Sequence, residues 1–255
     1  MTSTAAAATT LLRLHQAPEL LTVVNVWDAV SAQVVTGVQG TTALATASHS
    51  IAASRGYEDG ENIPVAEMIE EVRRIVAATH LPVTADLEGG YGDAPGTVRR
   101  AIEVGVVGAN LEDQLKPLAE AAAQVEAVME AARDAGVPDF VLNARTDAFV
   151  LGADDPLAEA VERGRAYLDA GAPTVFVPGP LDEDQVATLV DAFGPQKLTV
   201  IGLPGVPSPP RLQELGVARV SYGPLSQRVA LTALAELVES VHDGGGVPEG
   251  TRPLN

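Results

Sequence analysis

The sequence predicts a single (β/α)8 barrel spanning residues 1–255. Three observations carry this. Short β-rich apolar runs alternate with amphipathic helical stretches eight times along 255 residues. Several helical stretches stop at a glycine, as helices often do, at Gly105, Gly136, Gly171, Gly194 and Gly216. Polar and charged residues collect just after the apolar runs of the first five units. An open doubly wound sheet is the alternative, but it rarely needs eight evenly spaced units.

In chain order, a short leading helix is expected at about residues 10–20, within an N-terminal helical segment 1–21. Strands follow at 23–27, 42–47, 82–87, 108–111, 140–144, 174–177, 198–203 and 218–222, short and largely apolar runs, several of them rich in β-branched residues. Helices are expected at 31–38, 65–79, 95–104, 118–135, 156–170, 182–193, 209–215 and 225–242, where apolar residues recur at helical spacing. No composition shift marks a domain boundary, and only the tail 244–255 reads as flexible.

Hydrophobic residues make up 46% of the chain and charged residues 20%, a globular composition. The absence of cysteine excludes disulfides, thiolate metal sites and cysteine nucleophiles. The formal charge of −18 argues against nucleic acid or an anionic membrane as partner, so an anionic substrate needs local positive charge. The N-terminus lacks the basic start of a signal peptide, and no apolar run reaches the roughly 18 residues of a membrane span. A soluble cytoplasmic protein is expected.

In a barrel the strands' C-terminal ends form the active site. The third run ends in TADLEGGYG (84–92), with Asp86 and Glu88 on one face and glycines that permit a sharp turn. Carboxylates converging there repel each other unless a cation or proton lies between them. The alternative is a solvated turn with an acidic helix start. With Glu112 after the fourth run they form an acidic ring suited to Mg²⁺ or Mn²⁺.

Arg145, after the fifth run, has a planar fork suited to a carboxylate or phosphonate. A metal beside an arginine stabilises an oxygen that gains negative charge, as in an enolate. The competing reading pairs Arg145 with Asp113 or Asp147. His49 is a possible acid or base, or a capping histidine. Ser48 either orients a substrate carboxylate or caps a helix, and Asp28 either supports the metal or caps the following helix. Tyr57 and Asp59 lie in a glycine-rich loop that could form a flap, and Tyr91 either faces the metal or packs over the turn.

Six motifs in order, NVWDAVSAQ (25–33), TASHSIAASRGYEDG (46–60), VTADLEGGYG (83–92), GANLEDQ (108–114), NARTDAF (143–149) and AYLDAGAPTVFVPG (166–179), resemble the isocitrate lyase and phosphoenolpyruvate mutase superfamily. The resemblance covers nearly the whole chain. It implies a barrel that binds Mg²⁺ and a small 2-oxo or 2-hydroxy carboxylate and passes through an enolate. Asp86 would be the main metal ligand, with Glu88 and Glu112 acting mostly through metal-bound waters. Arg145 would clamp the substrate, with Ser48, Ala47, Trp27 and Asp59 around it, and Arg145, Glu112, Tyr91 and His49 form the catalytic group. The resemblance also implies a last helix exchanged between protomers in dimers that pair into tetramers.

Departures narrow the chemistry. The lyase branch carries a lid with a catalytic cysteine after the fourth strand, whereas GANLEDQ here runs through Leu115-Lys116-Pro117 straight into a helix. The mutase branch has a longer lid and a histidine at the end of the sixth strand, where this chain has Pro178. The second acid of the usual Asp-x-Asp pair is Glu88. The preferred expectation is a metal-dependent carbon–carbon lyase, for example an oxaloacetate decarboxylase. Phosphonate mutase or hydrolase chemistry and a non-catalytic metabolite-binding barrel are the alternatives.

Overall fold

The computed structural model describes residues 3–254. Nine strands are found among the described residues, all parallel: β1 (Leu21–Val23), β2 (Asn25–Val26), β3 (Leu44–Thr46), β4 (Val83–Asp86), β5 (Gly108–Glu112), β6 (Val141–Arg145), β7 (Thr174–Phe176), β8 (Leu198–Ile201) and β9 (Arg219–Ser221). The sheet order is β1-β9-β8-β7-β6-β5-β4-β3-β2. β1 and β2 are the expected first strand broken at Val24: one half pairs with β9 and the other with β3, so this single run closes the ring. The (β/α)8 expectation therefore holds, with its first strand split.

The helices are α1 (Thr4–Gln16), α2 (Ala29–Thr36), α3 (Ser48–Ser54), α4 (Val65–Ala77), α5 (Ala94–Glu103), α6 (Leu118–Asp134), α7 (Pro156–Asp169), α8 (Glu183–Phe193), α9 (Pro209–Leu215) and α10 (Leu225–His242). The leading helix lies several residues earlier than expected. Ser3 caps it by accepting from the Ala6 amide, and the chain turns extended at Ala17 before Pro18, a residue pair that disfavours helix. α3 was not expected from the sequence. Segment 244–254 forms no helix or strand, and its side chains are exposed.

Aspartates at Asp28, Asp93, Asp155 and Asp182 accept from amides of the first turns of α2, α5, α7 and α8. At these four positions a carboxylate meets the positive end of a helix. Helices α4 and α8 each bury one stripe against the barrel, Met68, Val72 and Ile75 on one, Val186, Leu189, Val190 and Phe193 on the other. Each such side chain contributes about 1.5–3 kcal/mol by leaving water.

Inside the barrel, register sets which side chains meet. Asn110 pairs with Asn143 and Asn143 with Thr174. The Asn143 amide donates to Asn110 Oδ1 (2.8 Å) and the Thr174 hydroxyl to Asn143 Oδ1 (3.0 Å), a buried polar ladder across three strands. Below it, α1 closes the bottom. A Cβ on Gly108 would lie 2.8 Å from the Val141 carbonyl oxygen and 2.9 Å from Leu11 Cδ2, so glycine is needed where α1 meets the sheet.

Candidate active site

The strand ends bring together the acids and the arginine. Glu112 and Arg145 are register partners, with Arg145 Nη1 2.8 Å from Glu112 Oε2. Arg145 also directs Nε and Nη2 to Asp147 Oδ1, both at 2.7 Å. In this state the arginine has the ion-pair role as well as the position expected of a clamp, and its partners are Glu112 and Asp147 rather than Asp113.

Asp113 builds the floor instead. Its Oδ2 accepts from Tyr167 OH (2.6 Å) and Arg163 Nη1 (3.2 Å), and its Oδ1 from the amides of Leu115 (2.9 Å) and Asp147 (3.0 Å). One buried carboxylate thus ties the ends of β5 and β6 to α7.

Asp86 stands at the end of β4. Its Oδ2 accepts from the Ser48 amide (3.2 Å) and hydroxyl (2.9 Å), and its own amide donates to Thr46 Oγ1 (2.9 Å). Ser48 opens α3 after Ala47, so its backbone N–H has no helical partner and is free to serve the acid. Ser48 here holds Asp86 and is not the cap residue. Among the described residues, neither Asp86 Oδ1 nor Glu112 Oε1 accepts a protein hydrogen bond.

Glu88 is 3% exposed. Its Oε1 accepts from Tyr91 OH (2.8 Å), and its Oε2 accepts from the Glu61 amide. Glu61 Oε1 in turn accepts from the Tyr91 amide at 2.6 Å. Glu61 comes from the loop between α3 and α4, so this loop does fold onto the acids, but through a residue the sequence analysis did not single out.

Among the described residues, six other than glycine have left-handed backbone, and five of them, Glu61, Glu88, Tyr91, Gln114 and Leu115, lie in the loops around this site. Each costs about 1–2 kcal/mol relative to ordinary geometry, a concentration of strain typical of a functional site.

The electrostatics follow from crowding. Burial, then the charges of Asp147, Asp86 and Glu88, push Glu112 up to about 7 against the opposing pull of Arg145. Burial raises Glu88 too, partly offset by its bonds from Tyr91 and Glu61. Burial raises Asp147 against the lowering effect of Arg145. For Arg145 burial disfavours the charge, but Glu112, Asp147 and Asp86 outweigh it and the guanidinium stays charged. Burial and the neighbouring Glu88 raise the Tyr91 phenol, which therefore acts as a donor that orients Glu88.

Among the described residues no three of His, Asp and Glu converge closely enough to enclose a metal directly. The donor set still has the right chemistry: hard carboxylate oxygens in excess of positive charge, with Asp86 Oδ1 and Glu112 Oε1 open. Such a set suits a divalent ion held in part through water.

The remaining expected residues are less central. His49 Nδ1 lies 3.4 Å from Asp59 Oδ2, with both side chains about half exposed, at 42% and 51%. Tyr57 OH donates to Glu67 Oε1 (3.0 Å). Trp27 lines an apolar groove of about 490 Å³ between α2 and α10 together with Val30 and Val229. Asp28 forms a capping box with Ser31 and so takes the cap reading. Arg219 was missed, although a lone arginine within an apolar strand is a legible signal.

A family model described as phosphoenolpyruvate phosphomutase matches residues 11–242. The chain belongs to the phosphoenolpyruvate mutase and isocitrate lyase superfamily. The structure of a candidate phosphonomutase from Burkholderia cenocepacia J2315 is 42% identical over 91% of this chain and 99% of that one, with a TM-score of 0.86. An oxaloacetate acetylhydrolase solved with 3,3-difluorooxalacetate is 26% identical, with a TM-score of 0.88 over 100% of this chain and 92% of that one. An oxaloacetate decarboxylase from Pseudomonas syringae pv. tomato is 28% identical over 82% of this chain and 75% of its own length. As in the superfamily's lyases and mutases, the fold is an α/β barrel, and this member is an enzyme.

Proposed function

We propose that this superfamily member is a divalent-metal-dependent carbon–carbon lyase for a small 2-oxo or 2-hydroxy carboxylate, with oxaloacetate decarboxylation as its simplest reaction. The observation that carries this is the juxtaposition of two open acid oxygens, Asp86 Oδ1 and Glu112 Oε1, with the charged fork of Arg145. A bound Mg²⁺ or Mn²⁺ would supply the electron sink for the 2-oxo carboxylate.

The chain's own groups do the rest. Asp86 is held in place by Ser48, and Glu88 by Tyr91 and Glu61. Arg145, paired here with Glu112 and Asp147, would turn its fork to a substrate carboxylate when one binds. From that carboxylate the fixed guanidinium charge would also favour the negative charge developing on the adjacent C2 oxygen, an electrostatic effect of a kind worth about a hundredfold to a thousandfold in rate. β5 is joined to α6 by the short turn 113–117, so there is no lid acid, and the enolate carbon takes its proton from water.

The oxaloacetate decarboxylase relative supports this reading, and the candidate phosphonomutase supports phosphonate chemistry as a second one. The test is direct NMR of oxaloacetate with Mg²⁺, comparing wild type, Arg145→Ala and Asp86→Ala with a metal-only control. Pyruvate formation above the control, lost in both variants, is expected. No rate above the control refutes oxaloacetate decarboxylation, and turnover of phosphonopyruvate seen by phosphorus NMR would establish the second reading.

Self-association as a dimer of dimers belongs to the same proposal. α10 buries only Gln227 and turns Leu231, Leu234, Val238 and Val241 to solvent along one stripe, a face suited to another protomer. No described helix is long and apolar enough to cross a membrane, in keeping with the proposed cytoplasmic setting.

A further inference from the structure

The barrel mouth is divided by charge. Acids and Arg145 occupy the ends of β4 to β6, while the loops 146–155, 177–182, 202–208 and 222–224, after β6 to β9, contain no lysine, arginine or histidine. Two basic side chains beyond β3 are already engaged: His49 lies against Asp59, and Arg55 pairs with Glu71.

Register shows what this half, which has no cation in its loops and only the fully buried Arg219 beneath them, presents. Arg145 pairs with Phe176, Phe176 with Thr199, and Thr199 with Arg219, so all four share the inner face. Ile201, two residues beyond Thr199, faces the same way at the top of β8. In the sheet order β8 lies four strands from β4, so Ile201 stands across the mouth from Asp86. The rim of the wall is close-packed: the Phe149 side chain lies 2.9 Å from where a Gly179 Cβ would be, and Ile201 Cδ1 3.2 Å from a Gly223 Cβ.

A 2-oxo acid whose first carboxylate lies on the acid and arginine half must direct its far end at this wall. The geometry points to Ile201 and Phe176 as the seat of a departing carboxylate, which makes the far-end chemistry a decarboxylation. This rests on the lyase reading above.

In oxaloacetate the C3–C4 bond breaks, and its electron pair becomes the C2–C3 double bond as the charge moves to the C2 oxygen. C4 leaves as neutral CO₂, and C3 then takes a proton from water to give pyruvate. A carboxylate against an apolar wall is poorly solvated, whereas the emerging CO₂ is not penalised, so the wall favours the transition state over the ground state. A phosphono group keeps its charge throughout and gains nothing from such a wall.

The experiment compares Ile201→Lys with Ile201→Met, the second keeping the wall apolar while changing its shape. Steady-state decarboxylation of oxaloacetate with Mg²⁺ is followed as CO₂ release. The Lys variant is expected to show a kcat at least tenfold below that of the Met variant, with KM equal or lower, because an ammonium stabilises the bound carboxylate and not the CO₂. Calorimetric binding of oxalate with Mg²⁺, which fills only the acid and arginine half, is expected to be within threefold of wild type in both variants.

A Lys variant whose kcat matches or exceeds that of the Met variant overturns the seat. If the Lys variant loses oxalate binding, Ile201→Gln replaces it, and the same fall in kcat, reduced to severalfold, decides the question. Absence of decarboxylation in wild type that still binds oxalate refutes the decarboxylase reading and this inference with it.

Discussion

Arg219 offers the sharpest test of the barrel's interior. It is fully buried, and among the described residues its Nε, Nη1 and Nη2 find no partner. Burial lowers its pKa from the ordinary 12.5 to about 10, with only the charge of Asp86 opposing. At about 1.4 kcal/mol per tenfold change, the folded state bears a penalty of about 3 kcal/mol for this charge. The group stays cationic, so the penalty is constant at all pH values well below 10.

Replacing it with an apolar side chain of similar length, Arg219→Met, removes the penalty and keeps most of the packing. The expected gain is about 3 kcal/mol. For a chain of this size that raises Tm by about 6–12 °C. Differential scanning calorimetry at pH 6, 7 and 8 should give the same increment at each. A Tm that falls instead would refute the reasoning, because it would mean that solvent or an ion inside the barrel already compensates the guanidinium.

Burial, with a smaller effect from Arg219, lowers His15 from 6.5 to about 3. The unfolded chain therefore binds a proton that the folded one refuses, and stability falls as pH drops from 6.5 toward 3. His15→Leu should flatten that limb in urea titrations, and an unchanged limb would assign it to other groups. Asp113→Ala strips Tyr167, Arg163 and two amides of their acceptor, so a loss of about 3–5 kcal/mol in chemical denaturation is expected. A loss under 1 kcal/mol would show the floor to be dispensable. Leu234→Glu places a charge on the exposed face of α10, and light scattering should report a smaller assembly than wild type. An unchanged mass would place any interface elsewhere.

The periodicity of apolar runs determines the barrel by itself, since eight runs that cannot bury their faces alone have one closed way to share them. The strand-end rule likewise makes Asp86, Glu88, Glu112 and Arg145 legible as one group, because a strand's direction decides which end a residue occupies. What sequence could not supply is which oxygen faces which donor. Glu61 lies 27 residues before Glu88 and meets it only because its loop adopts left-handed turns. Asp113 and Asp147 read alike as strand-end acids, yet one serves the floor and the other the arginine, a division made by Tyr167 and Arg163 on α7. The break at Val24 that closes the ring depends on pairing with both β9 and β3, at opposite ends of the chain. Local chemistry thus determines the elements and the inventory of acids. Tertiary structure decides the partners, because hydrogen bonds and ion pairs depend on distances that only the closed barrel sets.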